Sequence, residues 1–246
     1  MRRIAPSLVA YSSLALAAVA LAACGSDTAA TSTPADTTTA PSRQAAAAPP
    51  ACYPNCIDAQ LVGLKLAGVS MPNADLRGAN LQKANLTGAN LSGAKLTGAD
   101  FTYAILDRAN LSGVEADRVQ LPAASFQGTN FRGAYLHSSS IFGSKAAGAD
   151  FSGATLRNAG MSDLDLRGAN LSGANLTLAQ MEANNLSRAN LSGADLTDAT
   201  LEGALLDRTN LTNANLTKAN LQYATTGKAI WSNTTCPNGS VTSTGC

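Results

Sequence analysis

An apolar residue returns at every fifth position along most of this chain. Steps of five from Leu61 to Leu221 land on Leu, Met, Phe, Ile or Ala at 33 successive positions, with no slip of frame. Ala usually stands two residues before each of these centres, and Asn or Asp one before. Ser or Thr and then Gly commonly follow. A period of five is neither the 3.6 of a helix nor the 2 of a strand. A helix would scatter these leucines around its circumference, and a flat strand would send them alternately to both faces. They reach one common core only if every unit turns a corner and points its centre inward, which is the geometry of a solenoid.

A longer period lies on top of the short one. Ala-Asn-Leu-Ser-Gly occurs at 89–93, 109–113, 169–173 and 189–193, with close variants at 129–133, 149–153 and 209–213. All of these starts are multiples of 20 apart, as four five-residue sides per coil require. Similar units in other phases blur this signal. The motifs, Ala89-Asn90-Leu91-Ser92-Gly93 among them, resemble the pentapeptide repeat family over residues 57–231. The resemblance implies an all-β fold, a right-handed quadrilateral β-helix with four units per coil. The 33 units then make about eight coils, a rod about 40 Å long at ~4.8 Å per coil.

Four core columns follow, starting at Leu61, Leu66, Met71 and Leu76. Large and small centres balance within coils: Ala116 shares one with Phe101, and Ala146 shares one with Phe151. Such pairing keeps core volume nearly constant. Phe131 and Phe151 fall in one column and are expected to stack. Val114 to Gly148 is the least regular stretch, where weakened coils are expected rather than a domain break.

The N-terminus reads as an address. Arg2 and Arg3 precede an apolar run from Ile4 to Leu21, and small residues follow, the pattern of a secretory signal peptide at 1–23. Leu21-Ala22-Ala23-Cys24 resembles a bacterial lipobox, which implies cleavage before Cys24 and diacylglycerol on its thiol. The plainer alternative is an ordinary signal peptide with a chance cysteine. Residues 24–50 are rich in Ala, Thr and Pro without hydrophobic period and are expected to form a flexible linker. The remaining divisions are an N-terminal cap at 51–60, the repeat β-helix at 61–225 and a C-terminal cap at 226–246.

Solenoid ends need covering. Cys52 and Cys56 precede the first unit, Cys236 and Cys246 follow the last, and Trp231 stands in frame as a plug for the final coil. With Cys24 acylated, four cysteines remain and three pairings are possible. Cys52–Cys56 and Cys236–Cys246 fit best, because the other two pairings would join opposite ends of the rod. The same separation argues against a zinc site. A C-terminal dimer, which the family resemblance also implies, would meet the disulfide tail.

Composition narrows the function. Charged residues are 13%, aromatics 4%, and there is one histidine. From Ile57 to Ile230 there are 14 acidic and 14 basic residues, which disfavours a nucleic-acid binder. It also disfavours the DNA-mimicking topoisomerase (gyrase) inhibitor that the family resemblance offers as the alternative function. His137 precedes Ser138, Ser139 and Ser140, and Asp117 lies one coil away, but no oxyanion pocket is implied, so no enzyme and no catalytic residue is expected. Glycines recur at repeat frequency, so no phosphate loop and no cofactor is expected. Repeated Asn-Leu-Ser and Asn-Leu-Thr triplets are spelled by the repeat, and Asn ladders are their structural reading. What remains is surface. Ser92, Ser112, Arg132, Ser152, Ser172, Ser192 and Thr212 follow the centres of the third column and predict a flat, small, nearly uncharged docking strip. The chain is expected to be an exported scaffold or interaction module. It would be held to a bacterial membrane through Cys24, on the extracytoplasmic face, with an envelope protein or polymer as partner.

Overall fold

The computed structural model describes residues 46–246. The expected signal peptide, Cys24 and the linker up to Ala45 lie outside the described residues.

Within the described chain, one backbone pattern repeats every five residues. The residue before each centre forms a parallel bridge to the residue twenty positions on, from Asn55↔Asp75 to Asn215↔Thr235. Every bridge has this same offset, so each coil has twenty residues and four sides. Sides one to four are named here for the columns that begin at Leu61, Leu66, Met71 and Leu76. Among the described residues, regular paired strands occur only in the tail, where β1 (Thr234–Thr235) and β2 (Val241–Thr242) pair antiparallel.

The reason for a repeat of five is visible in the fate of its amides, since a buried backbone donor must find a partner. The centre N–H donates to the next coil, as from Leu81 to the Asp100 carbonyl at 2.7 Å. The N–H two residues later also donates forward, as from Gly93 to the Ser112 carbonyl at 2.9 Å. The residue before the centre donates backward, as from Asn110 to the Ala89 carbonyl at 2.8 Å. A turn bond closes the corner, as from Ala94 to the Leu91 carbonyl at 3.0 Å. The fifth amide, just after the centre, is taken by a side chain: Ser172 N–H donates to Asn170 Oδ1 at 3.2 Å, and Ser192 N–H to Asn190 Oδ1 at 3.1 Å. Asn or Asp before the centre therefore completes the hydrogen bonding of its own unit.

The corner also explains the glycines. The second residue after each centre has positive φ, for example +63° at Gly173 and +66° at Gly193. Glycine accepts this conformation without strain. Arg188, Leu178 and Ala183 hold it at 62°, 60° and 54°, kept there by the bonds on either side.

All centres from Cys56 to Leu216 are buried, and so are the small residues two positions before most of them. Leu contributes about 1.5–3 kcal/mol for full burial, before the entropy of ordering is subtracted. Phe131 and Phe151 stack with parallel planes at 4.9 Å, and Phe126 meets both edge-on at 5.6 and 6.2 Å. The bridges pass through Val114 to Gly148 without a break.

The frame continues into both ends. Cys56 and Cys236 are themselves centres, 1% and 5% exposed, and both belong to the fourth column. Cys56 is bonded to Cys52 and Cys236 to Cys246. At the first end Ala47, Cys52 and Tyr53 pack on the core. At the other, Trp231 is buried beneath the tail, where a Cβ on Gly245 would lie 3.7 Å from its indole Nε1. A shallow hollow of about 560 Å³ separates the tail from Leu221 and Ala224.

Candidate functional site

Side three is the most regular face. Its residues before the centre form a hydrogen-bonded ladder. Asn110 donates to Asn90 at 3.3 Å, Asn130 to Asn110 at 3.1 Å, Asn170 to Asp150 at 3.1 Å, Asn190 to Asn170 at 3.2 Å, and Asn210 to Asn190 at 3.1 Å. Each amide donates toward the N-terminal end. Asp150 has no proton to donate, and the ladder breaks between it and Asn130. Beside the ladder stand the strip residues Ser92, Ser112, Ser152, Ser172, Ser192 and Thr212, all half-buried. The Ser152 Oγ is buried without a partner. Outside them run six stacked glycines, from Gly93 to Gly193. A Cβ at Gly93 would meet Asn73 Oδ1 at 2.5 Å, whereas at Gly113, Gly133, Gly153, Gly173 and Gly193 it would meet nothing. Arg132 is the one exposed charge in the middle of the strip.

The histidine and serines do not assemble a charge relay. His137 is exposed, with Nε2 3.2 Å from Ser138 Oγ, which also accepts from Asn158 at 3.0 Å. Among the described residues Asp117 makes no side-chain hydrogen bond or ion pair to His137. Ser139 points the other way, buried in the core with its Oγ unpartnered.

Three features escaped sequence reasoning. The first is a polar seam at the corner between sides one and two, where Ser144, Leu164 and Asn184 replace Ala in consecutive coils. None of the three makes the usual turn bond. Instead Ser144 Oγ accepts from Ala124 N–H at 3.1 Å, and Asn184 Oδ1 accepts from Leu164 N–H at 2.7 Å. The second is a set of carboxylates pinned by neighbours. Arg77 and Arg167 grip Asp75 and Asp165 at 2.7 Å, and these hydrogen bonds hold both carboxyls below their ordinary value. Partial burial works to raise Glu182, but hydrogen bonds from Ser162 and Thr200 outweigh it and leave its pKa lowered.

The third is the distribution of charge. Assigned to sides by the twenty-residue coil, the 14 acids and 14 bases between Ile57 and Ile230 separate. Side two carries 7 Lys or Arg against 3 Asp, and side one carries 4 acids against Lys83 alone. Side four is mixed, and side three has only Arg132 and Asp150. The total of zero conceals a basic face next to an acidic one.

These bridged, four-sided coils can be set beside known proteins. The family model for pentapeptide repeats matches in eight copies, running from residue 55 to residue 225. The chain belongs to the pentapeptide repeat family. Among solved structures it is similar to HetL, a pentapeptide repeat protein involved in heterocyst differentiation regulation from the cyanobacterium Nostoc. The identity is 29%, over 76% of this chain and 91% of HetL, with a TM-score of 0.58. It is also similar in fold to QnrB1, a plasmid-mediated fluoroquinolone resistance protein, at 22% identity over 68% of this chain and 82% of that one, TM-score 0.59. No curated protein sequence matches it. The described solenoid of this pentapeptide repeat protein is accordingly a right-handed quadrilateral β-helix.

Proposed function

We propose that this pentapeptide repeat protein is a non-enzymatic scaffold or interaction module of the bacterial envelope, lipid-anchored through Cys24 on the extracytoplasmic face. The observation that carries the reading is side three. Its ladder and stacked glycines present a rigid, nearly uncharged surface, repeated in register once per coil, to a protein or polymer partner. Two disulfides at the ends of the solenoid support an oxidising compartment, because such bonds persist outside the cytoplasm. The test places a photo-cross-linking residue at Ser172 or Ser192, and at Thr177 or Thr197 on side four, in living cells. A discrete adduct from side three alone, lost when Arg replaces the other strip serine, supports docking. Equal adducts from both sides, or none from side three, contradict it.

The alternative is a topoisomerase inhibitor that imitates DNA. One observation favours it, the acidic row Asp163, Glu182 and Glu202 on side one. The likeness to QnrB1 bears on fold alone. The sparse charge of that side, 4 acids in all, and the export address weigh against this reading, and a supercoiling assay with purified gyrase decides it.

A further inference from the structure

We propose that side two is a membrane-facing surface that lays the solenoid along anionic phospholipid headgroups. The proposal rests on the lipid-anchor reading and adds an orientation to it.

Three observations meet on this side. First, Arg188, Arg208 and Lys228 occupy the same position in three consecutive coils, about 4.8 Å apart per coil. All three are exposed and have no ion-pair partner within 4.0 Å among the described residues. Lys65, Arg108 and Lys145 continue the basic character toward the N-terminal end. The three acids on this side are each engaged. Asp165 is neutralised by Arg167, Asp107 is occupied by Ser125 Oγ at 2.7 Å and Gln127 N–H at 2.9 Å, and Asp207 accepts from Thr225 Oγ1 at 3.4 Å.

Second, exposed apolar side chains are interleaved with the charges. Ile105 and Leu205 are 41% and 39% exposed on this side. Basic residues mixed with apolar ones suit the boundary between headgroups and acyl chains. A soluble polyanion gains nothing from the apolar members.

Third, the chain enters the solenoid on this side. Ala47 N–H donates to the Ala67 carbonyl at 3.1 Å, and Ala46 lies against Gly68. Ala46 is 22 residues after Cys24, a span of at most about 77 Å when fully extended. An anchor at Cys24 therefore leaves side two, where the described chain begins, within reach of the bilayer. Each Lys or Arg close to an anionic surface raises partitioning roughly fivefold. Side three, the proposed docking strip, is an adjacent side of the rod and stays open in this orientation.

The test reconstitutes the acylated protein, purified from cell membranes, into vesicles of phosphatidylcholine alone or mixed with phosphatidylglycerol. Both carry a headgroup photo-cross-linking lipid, and labelled peptides are located by mass spectrometry. The expected result is labelling concentrated on side two in the anionic vesicles, at least about tenfold above side three, and suppressed by high salt. Replacing Arg188, Arg208 and Lys228 together by Ser removes the preference, and replacing both arginines by Lys retains it. Labelling spread evenly over the four sides, or indifferent to lipid charge or to the Ser variant, overturns the proposal. It is also overturned if side two stays unlabelled while inorganic polyphosphate shields those three residues from chemical modification, since the row then serves a soluble polyanion. Flotation with both vesicle types reports the anchor separately, and a chain that floats with neither overturns anchor and orientation together.

Discussion

Asn190 shows how much one polar side chain does in this fold. Its Oδ1 accepts from Ser192 N–H and from Asn210 Nδ2, and its own Nδ2 reaches Asn170. Replacement by Ala strands the Ser192 amide and breaks two ladder bonds, at a cost of about 1–3 kcal/mol. Asn190→Asp keeps the acceptor and loses only the bond to Asn170, so it costs less, as the native Asp150 illustrates. Denaturant midpoints of the two variants check this order. Ser139 has the opposite sign. It occupies a position where Ala is usual, and its buried Oγ has no partner. Ser139→Ala is expected to raise stability by about 1 kcal/mol, read as a higher unfolding midpoint. These effects were only partly legible in the sequence. The frequency of Asn before the centre was plain, and an Asn ladder followed from it. That the same side chain supplies the partner of its unit's fifth amide depends on turn geometry, which composition does not carry.

At the scale of the coil, stability is shared between neighbours, and the ends are where a solenoid frays. Cys236 ties the last buried position of column four to Cys246, with the tail lying over Trp231 between them. Breaking this bond with Cys246→Ser removes a ten-residue closure worth about 2–3 kcal/mol in the entropic account. The loss should be local. Amide exchange should quicken in the final coil, from Leu216 to Thr235, while the Phe126–Phe131–Phe151 region is unchanged. A uniform loss of protection would contradict nearest-neighbour stability. The columns, and the stacking of Phe131 on Phe151, were readable from five- and twenty-residue arithmetic. The seam at Ser144, Leu164 and Asn184 was not, because three scattered departures from Ala become one feature only when coils lie on each other.

For the whole molecule, charge matters by side rather than by sum. A total of zero says little about association when a basic side two adjoins an acidic side one. This was concealed in the sequence until each residue was assigned to a side. The pinned carboxylates set the response to pH. Asp75, Asp100, Asp165 and Glu182 all have lowered pKa values in the folded chain. Their stabilisation is therefore complete above the ordinary carboxylate range and is lost as pH falls through the lowered values. Unfolding midpoints should be flat near neutrality and fall below roughly pH 4. The combination Asp165→Asn with Glu182→Gln should flatten that fall.

The central claim is an exported solenoid, tethered by Cys24 and closed at both ends by disulfides. The most direct test is the intact mass of the protein from fractionated native cells, kept non-reducing. The account predicts a membrane-bound species that begins at an acylated Cys24 and is four hydrogens lighter than the reduced chain, as two disulfides require. A soluble species that retains Met1 and carries free thiols would contradict the anchor, the caps and the envelope role at once.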